Sequence, residues 1–111
     1  MVATTIEKRK KDFMKIFLIS TATIKANSDA ENEMTLKYYV TEDVIMGAAP
    51  LYGVRIVKSS VCGEEENEIR RVFSNRADAE KFIDVLCRCT VTPMSLNDIA
   101  EEYILNMVLT A

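Results

Sequence analysis

Apolar and polar side chains alternate from Met34 to Thr41: Met34, Leu36, Tyr38 and Val40 interleave with Thr35, Lys37, Tyr39 and Thr41. A period of two belongs to a strand buried on one face. Upstream, Met14–Lys25 is rich in β-branched residues (Ile16, Ile19, Thr21, Thr23, Ile24), which favour extended backbone. The polar stretch 27–33 between these segments predicts a turn, so the two strands form a hairpin. Leu51–Lys58 reads as a third strand, and Gly53 inside it points to a bulge or to close approach of another backbone. Residues 42–50 form the connection before it. Cys62–Asn67 reads as a second polar turn. Glu68–Phe73 reads as a short fourth strand, with Ile69, Arg71 and Phe73 on one side and Arg70 and Val72 on the other.

After Ser74 the period lengthens. Ala79, Phe82, Ile83 and Leu86 recur at the three- and four-residue spacing of one helix face. Asn75 followed by Asp78 is a capping-box pattern at the start of this helix. The helix is expected to end near Thr90, and Pro93 forces a break. A second helix follows, entered either through Thr92 with Pro93 at the first helical position or through Ser95 with Asp98 three residues on. Leu96, Ile99, Ala100, Tyr103, Ile104, Met107 and Val108 form its apolar stripe, and Asp98, Glu101 and Glu102 lie near its N-terminus, where the helix dipole favours negative charge.

The element order is ββββαα. Short connections favour antiparallel neighbours, so the expected architecture is α+β: a four-stranded antiparallel meander followed by two C-terminal helices packed on one sheet face. Residues 1–13 read as a basic, flexible N-terminal arm and 14–111 as a single α+β domain. Two helices cover one face of a sheet, not two. The first strand offers apolar side chains on both sides, Ile16 and Leu18 against Phe17 and Ile19, and Tyr39 and Val57 sit opposite the main apolar sets. The second face is therefore expected to meet a protein partner or a second copy of the chain. Its candidate contact residues are Tyr39, Arg55 and Val57, joined by Ile45 and Met46 from a connection that is apolar where loops are usually polar.

Composition narrows the chemistry. The chain has 111 residues and no histidine. A Ser-His-Asp triad, a Cys-His pair and an HExxH zinc site are all impossible within one chain. The three glycines, Gly47, Gly53 and Gly63, are isolated, and no phosphate-cradling glycine motif occurs. The odd count of cysteines, Cys62, Cys87 and Cys89, does not suggest a disulfide framework and fits a reduced, cytoplasmic protein. Three glutamates follow Cys62 and its neighbour Gly63, a setting that opposes thiolate formation. No catalytic, metal-binding or cofactor-binding residue is assigned, and no cofactor is expected.

Charge is unevenly spread. Residues 1–25 hold six basic and two acidic residues, net +4; the remainder holds eight basic and fifteen acidic residues, net −7. Lys8–Lys11 before the apolar stretch loosely mimics an exported leader, but Lys15 interrupts that stretch and no small-residue cleavage site follows, so it reads as a charged lead into the first strand. No apolar run has the ~20 residues of a membrane span. Arg55 shares a face with at most one of Arg70 and Arg71, and the body is acidic, so nucleic acid is not the expected partner.

Tyr38-Tyr39-Val40, Tyr52-Gly53-Val54-Arg55-Ile56, Val91-Thr92-Pro93, Leu96, Asp98-Ile99 and Glu102-Tyr103 together resemble a family of small uncharacterised bacterial proteins, a domain of unknown function with a YY, YGI.I and VTP..L.D..EDY pattern. The resemblance covers roughly 34–105. Ser95 stands where that pattern often has histidine, and Glu102 where it favours aspartate. The resemblance implies a domain and no activity. The favoured functional reading is a non-enzymatic protein-binding or regulatory module acting through its open sheet face, with self-association as one form of it. The alternatives are a small enzyme using carboxylate or thiol chemistry, which needs a deep pocket around Asp98, Glu102, Tyr103 or Tyr52, and an adaptor whose basic arm binds nucleic acid or anionic lipid.

Overall fold

The computed structural model describes residues 12–24 and 33–110. The arm assigned to 1–13 lies outside these residues up to position 11, and so does nearly all of the polar turn at 27–33. Four strands, β1 (Asp12–Ile24), β2 (Met34–Ile45), β3 (Leu51–Ser60) and β4 (Gly63–Phe73), precede helix α1 (Arg76–Arg88), a 3-10 turn (Pro93–Ser95) and helix α2 (Leu96–Thr110). The strands form one antiparallel sheet in the order β1-β2-β3-β4. This is the α+β order ββββαα.

Two connections are shorter than local pattern suggests. Glu42–Ile45 continue β2 rather than opening a loop, leaving only residues 46–50 as the connection. The β3–β4 hairpin turns at Val61 and Cys62 alone, and Gly63–Asn67 belong to β4. Cross-strand pairing, Glu42 with Tyr52 and Glu66 with Val57, holds these polar residues extended against their local turn preference. The β1–β2 register also slips between Leu18 and Ser20, so Ile19 is an extra residue. This slip sends Phe17 and then Ser20, Ala22 and Ile24 toward the helices, and leaves Ile16 and Leu18 on the other face.

The core lies between the sheet and the helices. Leu36, Tyr38 and Val40 of β2, Val54 and Ile56 of β3 and Phe73 of β4 are buried against Ala79, Phe82, Ile83 and Leu86, the four positions that the helical period selects on α1. The Phe82 ring lies 5.8 Å from that of Phe73 and 4.6 Å from that of Tyr103, joining strand and both helices. On α2, Leu96 and Ala100 are buried, Ile99, Tyr103 and Ile104 half-buried, and Leu105, Met107 and Leu109 exposed; the Val108 side chain is outside the described set. The stripe thus packs over its N-terminal half.

Both helix entries follow local rules. The Asn75 side chain accepts from the Asp78 amide (2.8 Å) and donates to the Asp78 carboxylate (2.9 Å). Thr92 and Pro93 open the 3-10 turn that leads into α2, although the Thr92 hydroxyl makes no capping bond. The layers are tied at polar points. The Tyr38 hydroxyl donates to the Val91 carbonyl (3.0 Å), Asn67 donates to the Pro93 carbonyl (3.1 Å), and Ser20 Oγ and Cys87 Sγ share a hydrogen bond of 3.1 Å.

Candidate functional site: the open face of the sheet

Among the described residues, both helices lie on one side of the sheet. The opposite face is built by strand register. One cross-strand row runs Leu18, Tyr39, Arg55, Glu68, and the next runs Thr21, Lys37, Val57, Glu66. Toward the other end come Ile16, Thr41 and Gly53, then Met14, Asp43 and Leu51. The face is therefore graded, apolar along β1 and charged along β4. Ile16 and Leu18 are 40% and 54% exposed, large values for aliphatic side chains in a strand.

Gly53 sets the charged side of this face. A Cβ at position 53 would collide with the Ile69 carbonyl oxygen and lie 2.8 Å from Arg70 Cα. Into the space it leaves, β4 inserts a bulge: Tyr52 pairs with Phe73 and Val54 with Ile69, so three residues of β4 oppose one of β3. Arg71 adopts a left-handed φ of 61° within the bulge. Strict alternation would place Arg70 and Arg71 on opposite faces. The bulge instead sends both guanidinium groups across Gly53 to Asp43, a carboxylate only 2% exposed. Arg70 contacts both carboxylate oxygens, with Nε 3.2 Å from Oδ2, and Arg71 Nε lies 3.7 Å from Oδ2. The hydrogen bond to Asp43 holds the Arg70 guanidinium above its usual value.

Arg55 does not join that pair. It donates to Glu66 (3.1 Å) and lies 3.8 Å from Glu68. Three buried polar atoms lack a hydrogen-bond partner among the described residues, Thr41 Oγ1, Arg55 Nε and Glu68 Oε2, and all three side chains are on this face. The Arg55 and Glu68 side chains remain 23% and 29% exposed, so small rotations bring them to a partner or to water.

Of the residues proposed from sequence, register brings Tyr39, Arg55 and Val57 together at the middle of the open face, each half-buried. Ile45 ends β2 at one extremity of the sheet, paired with Asp12. Met46 projects from the adjoining turn and is 70% exposed, away from the central rows. Ile45 therefore belongs to a strand and not to a contact loop. Sequence reasoning missed Asp43, Arg70 and Arg71 as a unit; its one available signal was Gly53.

The residues considered for catalysis are dispersed. Glu102 and Tyr103 border a shallow notch of about 170 Å³ with Val85, Ile99 and Asn106, and Asp98 is exposed elsewhere on α2. Tyr52 donates to Glu42 (3.3 Å); desolvation and that carboxylate push its phenol above the ordinary value, against the lowering effect of Arg76. Cys62 is exposed beside an open hollow of about 350 Å³ with Lys58, Ser60 and Glu65. A third open depression, of about 430 Å³, lies between Glu65, Glu66 and Asn67 and the corner residues Pro93 and Met94. No group of three His, Cys, Asp or Glu side chains among the described residues is arranged to hold a metal ion. No helix among them is long and apolar enough to cross a membrane.

Comparison with known families matches residues 17–106 to DUF6514, a family of unknown function. No curated protein and no solved structure matches the chain. The matched span runs from within β1 into α2 and contains the whole bulge, the Asp43 cluster and the central rows of the open face. The chain belongs to DUF6514, a family of unknown function whose model covers most of this sheet and its two helices.

Proposed function

We propose that the chain is a non-enzymatic protein-binding or regulatory module that presents the open face of its sheet to a protein. The observation that carries this reading is the face itself, on which exposed Ile16 and Leu18 stand beside Tyr39, Val57 and a network of ion pairs with unpartnered polar atoms. An exposed aliphatic flank on β1 that grades through Tyr39 and Val57 into charged β4 is the composition of a protein contact rather than of a uniformly solvated surface. Free thiols at Cys62, Cys87 and Cys89 suit a reducing, cytoplasmic setting, and we read the protein as one of bacterial cytoplasm.

The experiment is affinity capture from the native cell with the wild-type chain and with a Leu18→Glu, Val57→Glu variant. The expected result is a protein retained by the wild type and lost by the variant, whose melting curve remains cooperative. Equal retention by both proteins would remove the open face from the function.

A further inference from the structure

We infer that the occupant of the open face is a second copy of this chain, packed face to face about a twofold axis that runs across the strands. This rests on reading the face as a protein contact. The argument comes from the order of side chains in the rows. Along β1 the face is apolar, with Met14, Ile16 and Leu18. Along β4 it is charged and polarised: Glu64, Glu66 and Glu68 occupy one end, and the bulge delivers Arg70 and Arg71 at the other. A twofold axis across the strands lays β1 over the partner's β1 and reverses strand direction. Apolar side chains then meet apolar ones, and the carboxylate end of β4 comes over the guanidinium end of its mate. A twofold axis along the strands would instead set Leu18 over Glu68 and Ile16 over the arginines of the bulge, desolvating charged groups against aliphatic surface.

An isologous contact requires a surface complementary to itself under one rotation. Both gradients on this face meet that requirement for the same axis. An unrelated partner would demand neither. The size of the face sets the class of interface. Four strands at about 4.8 Å spacing and about nine residues at 3.3 Å rise give a patch of about 19 by 30 Å. That buries about 600 Å² per copy and about 1,200 Å² in total, the lower end for specific interfaces. An interface of this size suits a reversible dimer rather than an obligate one.

The test is sedimentation of the full chain, a 12.5 kDa protomer, across a concentration series up to about 200 µM. The wild type is expected to shift from protomer to twice that mass. Leu18→Glu is expected to remain a monomer throughout. Glu66→Arg and Arg71→Glu each place like charges across both symmetry-related contacts and are expected to weaken association about tenfold. An equimolar mixture of these two variants pairs opposite charges in the heterodimer and is expected to associate nearly as well as wild type. Misfolding does not produce that recovery. A wild-type chain that stays monomeric, a dimer indifferent to Leu18→Glu, or a mixture no better than its components would each overturn the inference. Failure of the underlying reading is separable. A monomer whose captured protein is lost on Leu18→Glu, Val57→Glu substitution keeps the face as a contact for another protein, and a monomer that loses nothing removes both.

Discussion

Gly53 occupies the position on which most of the open face depends. It is buried in β3 between Thr41 on one strand and the bulged backbone of β4 on the other. An added Cβ meets the Ile69 carbonyl oxygen and Arg70 Cα, and also lies 2.9 Å from Thr41 Oγ1. Two of these three atoms belong to backbone, which yields only by moving a strand. Gly53→Ala is therefore expected to destabilise the fold by about 2–3 kcal/mol, as overpacking a close-packed site does. It should also displace the bulge and release Arg70 and Arg71 from Asp43. Denaturant unfolding measures the first effect, and the chemical shift of the Asp43 carboxyl carbon measures the second. A loss below about 0.5 kcal/mol, the ordinary scatter of surface substitutions, would show that the bulge is soft. Glycine in a strand was a visible sign of close approach. The three-residue cluster it creates was not visible, because alternation assigns adjacent residues to opposite faces and only pairing with a distant strand reveals two extra residues.

At the scale of elements, α1 was legible almost residue for residue, since Ala79, Phe82, Ile83 and Leu86 are spaced by helix geometry alone and Asn75 caps through atoms three residues away. The ends of β2 and β4 were not, because Glu42–Ile45 and Gly63–Asn67 have turn or mixed composition and are strands only through their partners. The exit of α1 is informative in another way. The Thr90 amide donates to the Cys87 carbonyl and the Val91 amide to the Leu86 carbonyl (2.9 Å), the paired bonds of a Schellman ending. The residue in the left-handed position of that motif is Thr90, with φ 47°. A β-branched residue is poorly suited there, whereas glycine adopts this conformation without steric cost. Thr90→Gly gives up a 2.8 Å hydroxyl bond to the Cys89 carbonyl, made at an exposed position where water replaces it. The expected net effect is a stabilisation of about 1 kcal/mol, read as a higher urea midpoint with an unchanged slope. A lower midpoint would mean that the hydroxyl bond outweighs the backbone strain.

For the whole molecule, the question is what couples the sheet to the helical layer, and Tyr38 gives a measurable answer. Its ring is fully buried at the centre of β2, and its hydroxyl donates to the carbonyl of Val91, which follows the C-terminal cap of α1 and leads to the Pro93 corner. Burial, reinforced by the neighbouring Cys87 and Cys89 thiols, pushes the phenol up from 10.0 to about 12. Below pH 10 it is protonated in folded and unfolded chains alike, and its contribution is fully present. Between pH 10 and about 12 the unfolded chain has released this proton and the folded chain has not. The unfolded state then binds fewer protons, so stability falls as pH rises through this window. Tyr38→Phe removes the titration and leaves the Val91 carbonyl without its donor, at a cost of about 1–2 kcal/mol near neutral pH. The variant should therefore start less stable and lose less on alkalinisation, so that the gap to wild type narrows above pH 10. Comparing the two proteins cancels the other alkaline titrations, including the raised phenol of Tyr52. Urea unfolding of both proteins at several pH values from neutral upward checks this. Parallel curves would mean that the Tyr38 phenol titrates alike in the folded and unfolded chains, and that its bond to Val91 does not couple the layers to pH.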